Sequence, residues 1–262
     1  MRSHGSRRMA EILVFGDSHV ASLSPPLEEL ASRTSIIPRF VSAPGPVLTR
    51  LAVEGDKLTL APAPDSWGHA TVSDKSIHSW YALTAAQIRD IAGADGAVDL
   101  SLFDAIVCVG GHLTSWWPSM HDVIVAPQYS GDCALRACSD MFARTPHMRW
   151  VGAITPGCVP VYSMPEPLTN EGSPKLEAPG ARERNFAIVE ETLSLLLQDA
   201  GTKYVPMPPG LLSAGGHATA ARFKHEREGD YTHVNDEGAR LMARHLLDMV
   251  APTCKADVEA MA

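Results

Sequence analysis

The run Ile12-Leu13-Val14-Phe15, followed at once by Gly16-Asp17-Ser18-His19, constrains the fold of this chain more than any other stretch. Four consecutive apolar residues are too few for a helix. Their uniform hydrophobicity leaves no side for solvent, so they read as a strand covered on both faces, as in a parallel sheet. The strand then stops. Gly16 permits a tight turn, Asp17 can bond nearby amides, and Ser18 emerges past the strand's carboxyl end, where open α/β sheets carry their chemistry. The same residues also fit an ordinary strand-to-helix turn in which Ser18 merely caps the helix.

Strand-like and helical patterns alternate along the rest of the chain. Further strands are predicted over 35–42, 103–110, 148–155 and 203–207. Helices are predicted over 18–23 and 27–33, separated by Pro25 and Pro26, and over 84–91, 131–145, 185–198 and 236–250, the last capped by Asn235. This alternation predicts a three-layer α/β/α sandwich with a mainly parallel five-stranded sheet. A chain of 262 residues is long enough to form one large domain, placed at 11–250. Residues 1–10 read as a loose tail, and the polar residues 251–262 as a fraying end. An insertion over 47–83 contains a hairpin at 51–60 and an irregular stretch at 61–80 with Trp67, His69, His78 and Trp80. Residues 156–182, rich in Pro and Gly, read as a long surface loop.

The formal net charge of −8 argues against sequence-independent attraction to nucleic acid or anionic lipid. No apolar run approaches the roughly 20 residues of a membrane span, and the apolar run behind the basic first residues is too short for a secretory signal, so a cytoplasmic protein is expected. The five cysteines form no CxxC pair and read as reduced thiols. His217, His225 and His233 recur every eight residues, but no acidic or thiol partner completes a metal site, and neither metal nor cofactor is called for. Oligomeric state leaves no mark in the sequence.

Asp230 and His233 precede the last helix at a spacing that can bring a carboxylate to one imidazole nitrogen and leave the other free. A serine hydroxyl needs such an oriented base to become a nucleophile. Gly16-Asp17-Ser18, Gly45 after the second strand, Gly110-Gly111-His112-Leu113 after the third, and Asp230-Tyr231-Thr232-His233 resemble, in order and spacing, the four blocks of the SGNH or GDSL-type hydrolase superfamily. The form Gly-Asp-Ser-His resembles the variant seen in SGNH domains attached to polysaccharide O-acyltransferases.

That resemblance implies a flavodoxin-like strand order, 2-1-3-4-5. It implies Ser18 as nucleophile, His233 as general base and Asp230 as its orienter, with the Ser18 and Gly45 amides as oxyanion donors. The family's third donor is an asparagine in a Gly-x-Asn-Asp block. Here His112 occupies that place, where it either donates from its ring or packs against Trp116 or Trp117. Asp17, His19, Gly111 and Trp116 are expected at the substrate. The implied function is hydrolysis of small acyl esters such as acetyl, on a small molecule or carbohydrate. The alternatives are a sugar O-acyltransferase using the same residues, or an inactive carbohydrate-binding or scaffold relative.

Overall fold

The computed structural model describes residues 9–69, 74–111, 131–154, 156–167, 181–214, 219–225 and 233–260. Strands β1 (Ala10–Gly16), β2 (Ile36–Ser42), β6 (Ala105–Val109), β7 (Val161–Met164) and β8 (Lys203–Tyr204) form the central sheet in the order β2-β1-β6-β7-β8. Every pairing is parallel, and the order is the flavodoxin-like one. A smaller antiparallel sheet joins β3 (Leu51–Glu54), β4 (Lys57–Leu60) and β5 (Ala97–Asp99). The hairpin expected over 51–60 is therefore present, and it gains a third strand.

The two-residue alternation of a strand divides β1 between two cores. Ile12 and Val14 face α1 (Ser18–Ala31) and α6 (Asp236–Ala260), packing with Val20, Leu23, Leu27, Ala243, Leu246 and Val250. Leu13 and Phe15 face the opposite way, towards Ile88 of α2 (Asp74–Ala92), Trp150 of α4 (Pro146–Ala153) and Leu197 of α5 (Ala181–Asp199). Helix α3 (Gly131–Phe142) packs on α5 through Ala134, Cys138, Phe142, Ile188 and Leu193. The sheet is thus the middle of three layers, and β1 is buried on both sides.

Several elements depart from the sequence reading. Pro25 and Pro26 do not divide the first helix, which runs unbroken from Ser18 to Ala31. Pro25 lacks the N–H that would bond the Ala21 carbonyl, but the Ser24 hydroxyl donates to that carbonyl at 3.2 Å, and Leu23 and Leu27 on either side are buried. Residues 148–155 are not a strand. Thr145 accepts from the Met148 amide and Pro146 opens the helix, which makes 146–153 helical and buries His147, Trp150 and Val151 on one face. The fourth strand of the sheet is instead Val161–Met164, inside the stretch read as loop.

Helix α2 begins ten residues before the expected Thr84 and absorbs His78 and Trp80. Helix α6 continues beyond Val250 to Ala260, with Cys254 buried and Thr253 hydrogen-bonded to the Tyr162 hydroxyl. The last strand is shorter than 203–207, since Pro208 and Pro209 follow and only Lys203 and Tyr204 pair with β7. No described helix is long and apolar enough to cross a membrane.

Phe15 is fully buried, with its ring centroid 5.3 Å from that of Trp150. Phe15→Ala should cost about 3–5 kcal/mol in urea unfolding, because the cavity lies in the middle layer and cannot collapse readily. Leu102 is 69% exposed, and Leu102→Ala should stay within about 0.5 kcal/mol of the parent protein.

Candidate active site

The carboxyl ends of β1, β2 and β6 meet at Asp17. Gly16 approaches its neighbour so closely that a Cβ there would stand 1.8 Å from the Val109 carbonyl oxygen, so only glycine lets β1 leave the sheet at this point. The Asp17 amide then donates to that carbonyl at 3.2 Å. The Asp17 carboxylate accepts from the His19 amide at 2.9 Å, from His19 Nδ1 at 2.8 Å and from the Gly111 amide at 2.9 Å. A Cβ at Gly110 would lie 2.0 Å from that carboxylate, and Gly110 has φ +64°, so the β6 turn also requires glycine.

Burial by itself pushes the Asp17 carboxyl up. The His19 ring, through charge and hydrogen bond, and the Gly111 and His19 amides outweigh that and hold it far below the usual carboxylate range. Asp17 rather than Ser18 is the cap of α1. The Ser18 hydroxyl is therefore not consumed by the helix end, and it lies 2.8 Å from His233 Nε2. Both residues are half-buried. His233 lies outside regular structure. Its carbonyl accepts from the His225 amide at 3.3 Å, and the next residue, Val234, bridges to Lys224. Asn235 caps α6 by accepting from the Gly238 amide at 3.0 Å, so the docking of α6 brings His233 to α1.

The second strand reaches the same edge. Ser42 Oγ donates to the Asp17 carbonyl at 3.1 Å, Thr84 Oγ1 donates to the Ser42 carbonyl at 2.6 Å, and the Ser42 amide donates to Gln87 Oε1 at 2.9 Å. Gly45 is the third residue past β2 and has φ +54°, and the Trp80 ring stands against it. Ser18, His233, Asp17, His19, Gly45 and Gly111 thus belong to one edge of the sheet. Asp230, His112 and Trp116 lie outside the described residues, as does His217. Among the described residues no group of three His, Cys, Asp or Glu side chains is placed to hold a metal ion.

The sequence reading missed His147, which fell beside a stretch taken for a strand. It is fully buried at the start of α4. Its Nδ1 donates to the Gly110 carbonyl at 2.5 Å, and its Nε2 accepts from the Ser163 hydroxyl at 2.7 Å. The carbonyl can only accept, so the neutral ring carries its proton on Nδ1. Burial pushes this imidazole down to about 4, against the opposing pull of the Gly110 carbonyl and Asp17. His147 fixes the turn whose next amide holds Asp17. No motif marks it, since its partners are 37 and 16 residues away.

The class so defined is a doubly wound α/β domain with a serine–histidine pair at the carboxyl edge of its parallel sheet. No family model and no curated protein matches the chain. Among solved structures it is similar to a GDSL-like lipase from Bacteroides thetaiotaomicron, with TM-score 0.41 and 11% identity over 96% of this chain and 92% of that one. It is similar to a carbohydrate acetylesterase family member from Sinorhizobium meliloti, with TM-score 0.40 and 15% identity over 94% and 100%. It is also similar to the periplasmic domain of a lipopolysaccharide acetyltransferase from Salmonella ser. Paratyphi A, with TM-score 0.44 and 11% identity over 94% and 85%. Likeness of this degree carries no chemistry, which has to come from this chain's own residues.

His147 should make stability pH-dependent. Its folded value, about 4, lies below the ordinary 6.5. As pH falls from 6.5 towards 4 the unfolded chain takes up a proton that the folded chain refuses, and stability is lost by up to about 3 kcal/mol. Above pH 6.5 the residue contributes no slope. Urea unfolding at stepped pH should show this decline, and His147→Asn should flatten it.

Proposed function

We propose that the protein is a serine hydrolase that cleaves small acyl esters through an acyl-enzyme on Ser18. The observation that carries this reading is the 2.8 Å approach of His233 Nε2 to Ser18 Oγ at the sheet's carboxyl edge, made by residues 215 positions apart that are both half-buried. A hydroxyl near its free pKa is a poor nucleophile, and a hydrogen-bonded imidazole is the group that removes its proton as it attacks.

In this reading Ser18 Oγ attacks the acyl carbonyl while its proton passes to His233 Nε2. The carbonyl oxygen becomes an oxyanion, and its collapse expels the alcohol, which takes the proton from Nε2. Water then attacks the acyl-enzyme with His233 again as base, releasing the carboxylic acid and restoring Ser18. Asp230 orients His233, and the amides of Ser18 and Gly45 stabilise the oxyanion, the first from the positive end of α1 and the second from the turn after β2. His112 supplies the third donor. The acyl group is small, such as acetyl, and the alcohol is a hydroxylated molecule such as a sugar. An O-acyltransferase would differ only in resolving the same acyl-enzyme with a hydroxyl in place of water.

A fluorophosphonate probe should label the protein, and Ser18→Ala should abolish labelling; labelling that persists in this variant would exclude Ser18 as nucleophile. Ser18→Ala and His233→Ala should each lower turnover of an aryl acetate by at least about 10⁴-fold, with the double variant scarcely worse than either, because the two act as a unit. Product partition with and without an added sugar alcohol then separates hydrolysis from transfer.

His112→Ala should lower kcat by about 10²–10³ with little change in KM, since an oxyanion donor acts in the transition state. His112→Asn should recover activity. An unchanged kcat in the alanine variant would leave the two amides as the only donors.

A further inference from the structure

Directly after Ser18 the chain places a histidine that the Ser18–His233 pair does not require. His19 is only 3% exposed. Its Nδ1 lies 2.8 Å from Asp17 Oδ1, and its ring packs against that of His233, with centroids 4.9 Å apart and planes tilted by 41°. The cap of α1 does not need this side chain, because the His19 backbone amide already supplies the bond to Asp17. A leucine would fill the same space without burying a polar ring, which is costly unless the ring's bonds serve a purpose.

The His19 ring and the two backbone amides outweigh burial and keep Asp17 ionised, so the carboxylate is a firm anchor for that ring. A general base must lie within hydrogen-bond reach of the hydroxyl it deprotonates and in line with it. His19 bonds the carboxylate with one side of its ring and meets His233 with the other. We propose that His19 is a positioning residue for His233: anchored on Asp17, its ring holds that of His233 in line with Ser18. This rests on the assignment of Ser18 and His233 given above.

Among the described residues, the titratable groups at this point are Asp17 and His19 from the start of α1, His233 from the segment before α6, and His147 from α4. His147 bonds the neighbouring Gly110 carbonyl and the Ser163 hydroxyl and is uncharged above about pH 4. The amides of His19 and Gly111 face Asp17 and carry no titration. Asp230 lies outside the described residues and is left intact in every variant below, so its influence on His233 is common to all of them.

The test compares His19→Leu with His19→Asn. Asparagine can donate to Asp17 Oδ1 as the imidazole does, but it presents no ring to His233. The primary readout is the nuclear Overhauser contact between the His233 ring protons, assigned from the signal lost in His233→Gln, and the Ser18 β-protons, which does not depend on turnover. Both variants should lose that contact, and kcat for an aryl acetate should fall about 10²-fold with KM little changed, because a misplaced base costs the chemical step and not binding. A contact retained in both variants would overturn the proposal. So would a contact retained in His19→Asn alone, since His19 would then serve only to seat Asp17. If His19→Leu fails to fold, His19→Asn carries the comparison alone. Failure of the Ser18 assignment would appear separately, as probe labelling that survives Ser18→Ala, and would leave the NMR contacts untouched.

Discussion

One carboxylate holds the working edge of this molecule together. Asp17 closes the first turn of α1 through the His19 amide, reaches across the sheet to the Gly111 amide beyond β6, and fixes the His19 ring. Its own backbone carbonyl receives the Ser42 hydroxyl from the end of β2. Three strand ends are thereby tied to one residue. A buried carboxylate left short of partners costs several kcal/mol, so these bonds form together or the edge does not form at all. Glycine on both sides follows from the same closeness, because a Cβ at Gly16 or Gly110 would occupy space already held by the Val109 carbonyl or by Asp17.

The geometry at Ser18 is a consequence of that arrangement. Since Asp17 is the helix cap, the serine hydroxyl keeps its hydrogen-bonding capacity for His233. His147 works one step further out, holding the Gly110 carbonyl while Ser163 of β7 holds His147 in turn. The chain of contacts runs from β7 to α4, to the turn after β6, to Asp17, and ends beside the Ser18–His233 pair. Each link is a buried polar group with a named partner, which gives the edge a single arrangement instead of several near-equal ones.

What could be read from the sequence follows from how local each signal is. β1 was legible because four apolar residues and a glycine suffice to describe it. Ser18, His233 and the hairpin over 51–60 were legible because their neighbours in sequence are their structural context. The extent of α1 was not, since Pro25 and Pro26 break a helix unless something else satisfies the Ala21 carbonyl and buries Leu23 and Leu27. The stretch around Trp150 is apolar enough for a strand, and only the Thr145 cap and Pro146 tip it towards a helix. β7 hid in a stretch dominated by proline and glycine, because its four residues become a strand only by pairing with β6. His147 had no signal at all, as both of its partners are remote in sequence.

The pairing of Ser18 with His233 also has a meaning in time. The serine stands at the start of the first helix and the histidine just before the last, with the rest of the sheet between them. Their approach depends on α6 lying along α1, where Arg240 meets Glu29 and the side chains of both helices share one core. During synthesis the ribosome releases Ser18 long before it releases His233. A nascent chain therefore carries a serine with no imidazole beside it until His233 has emerged and α6 has docked along α1.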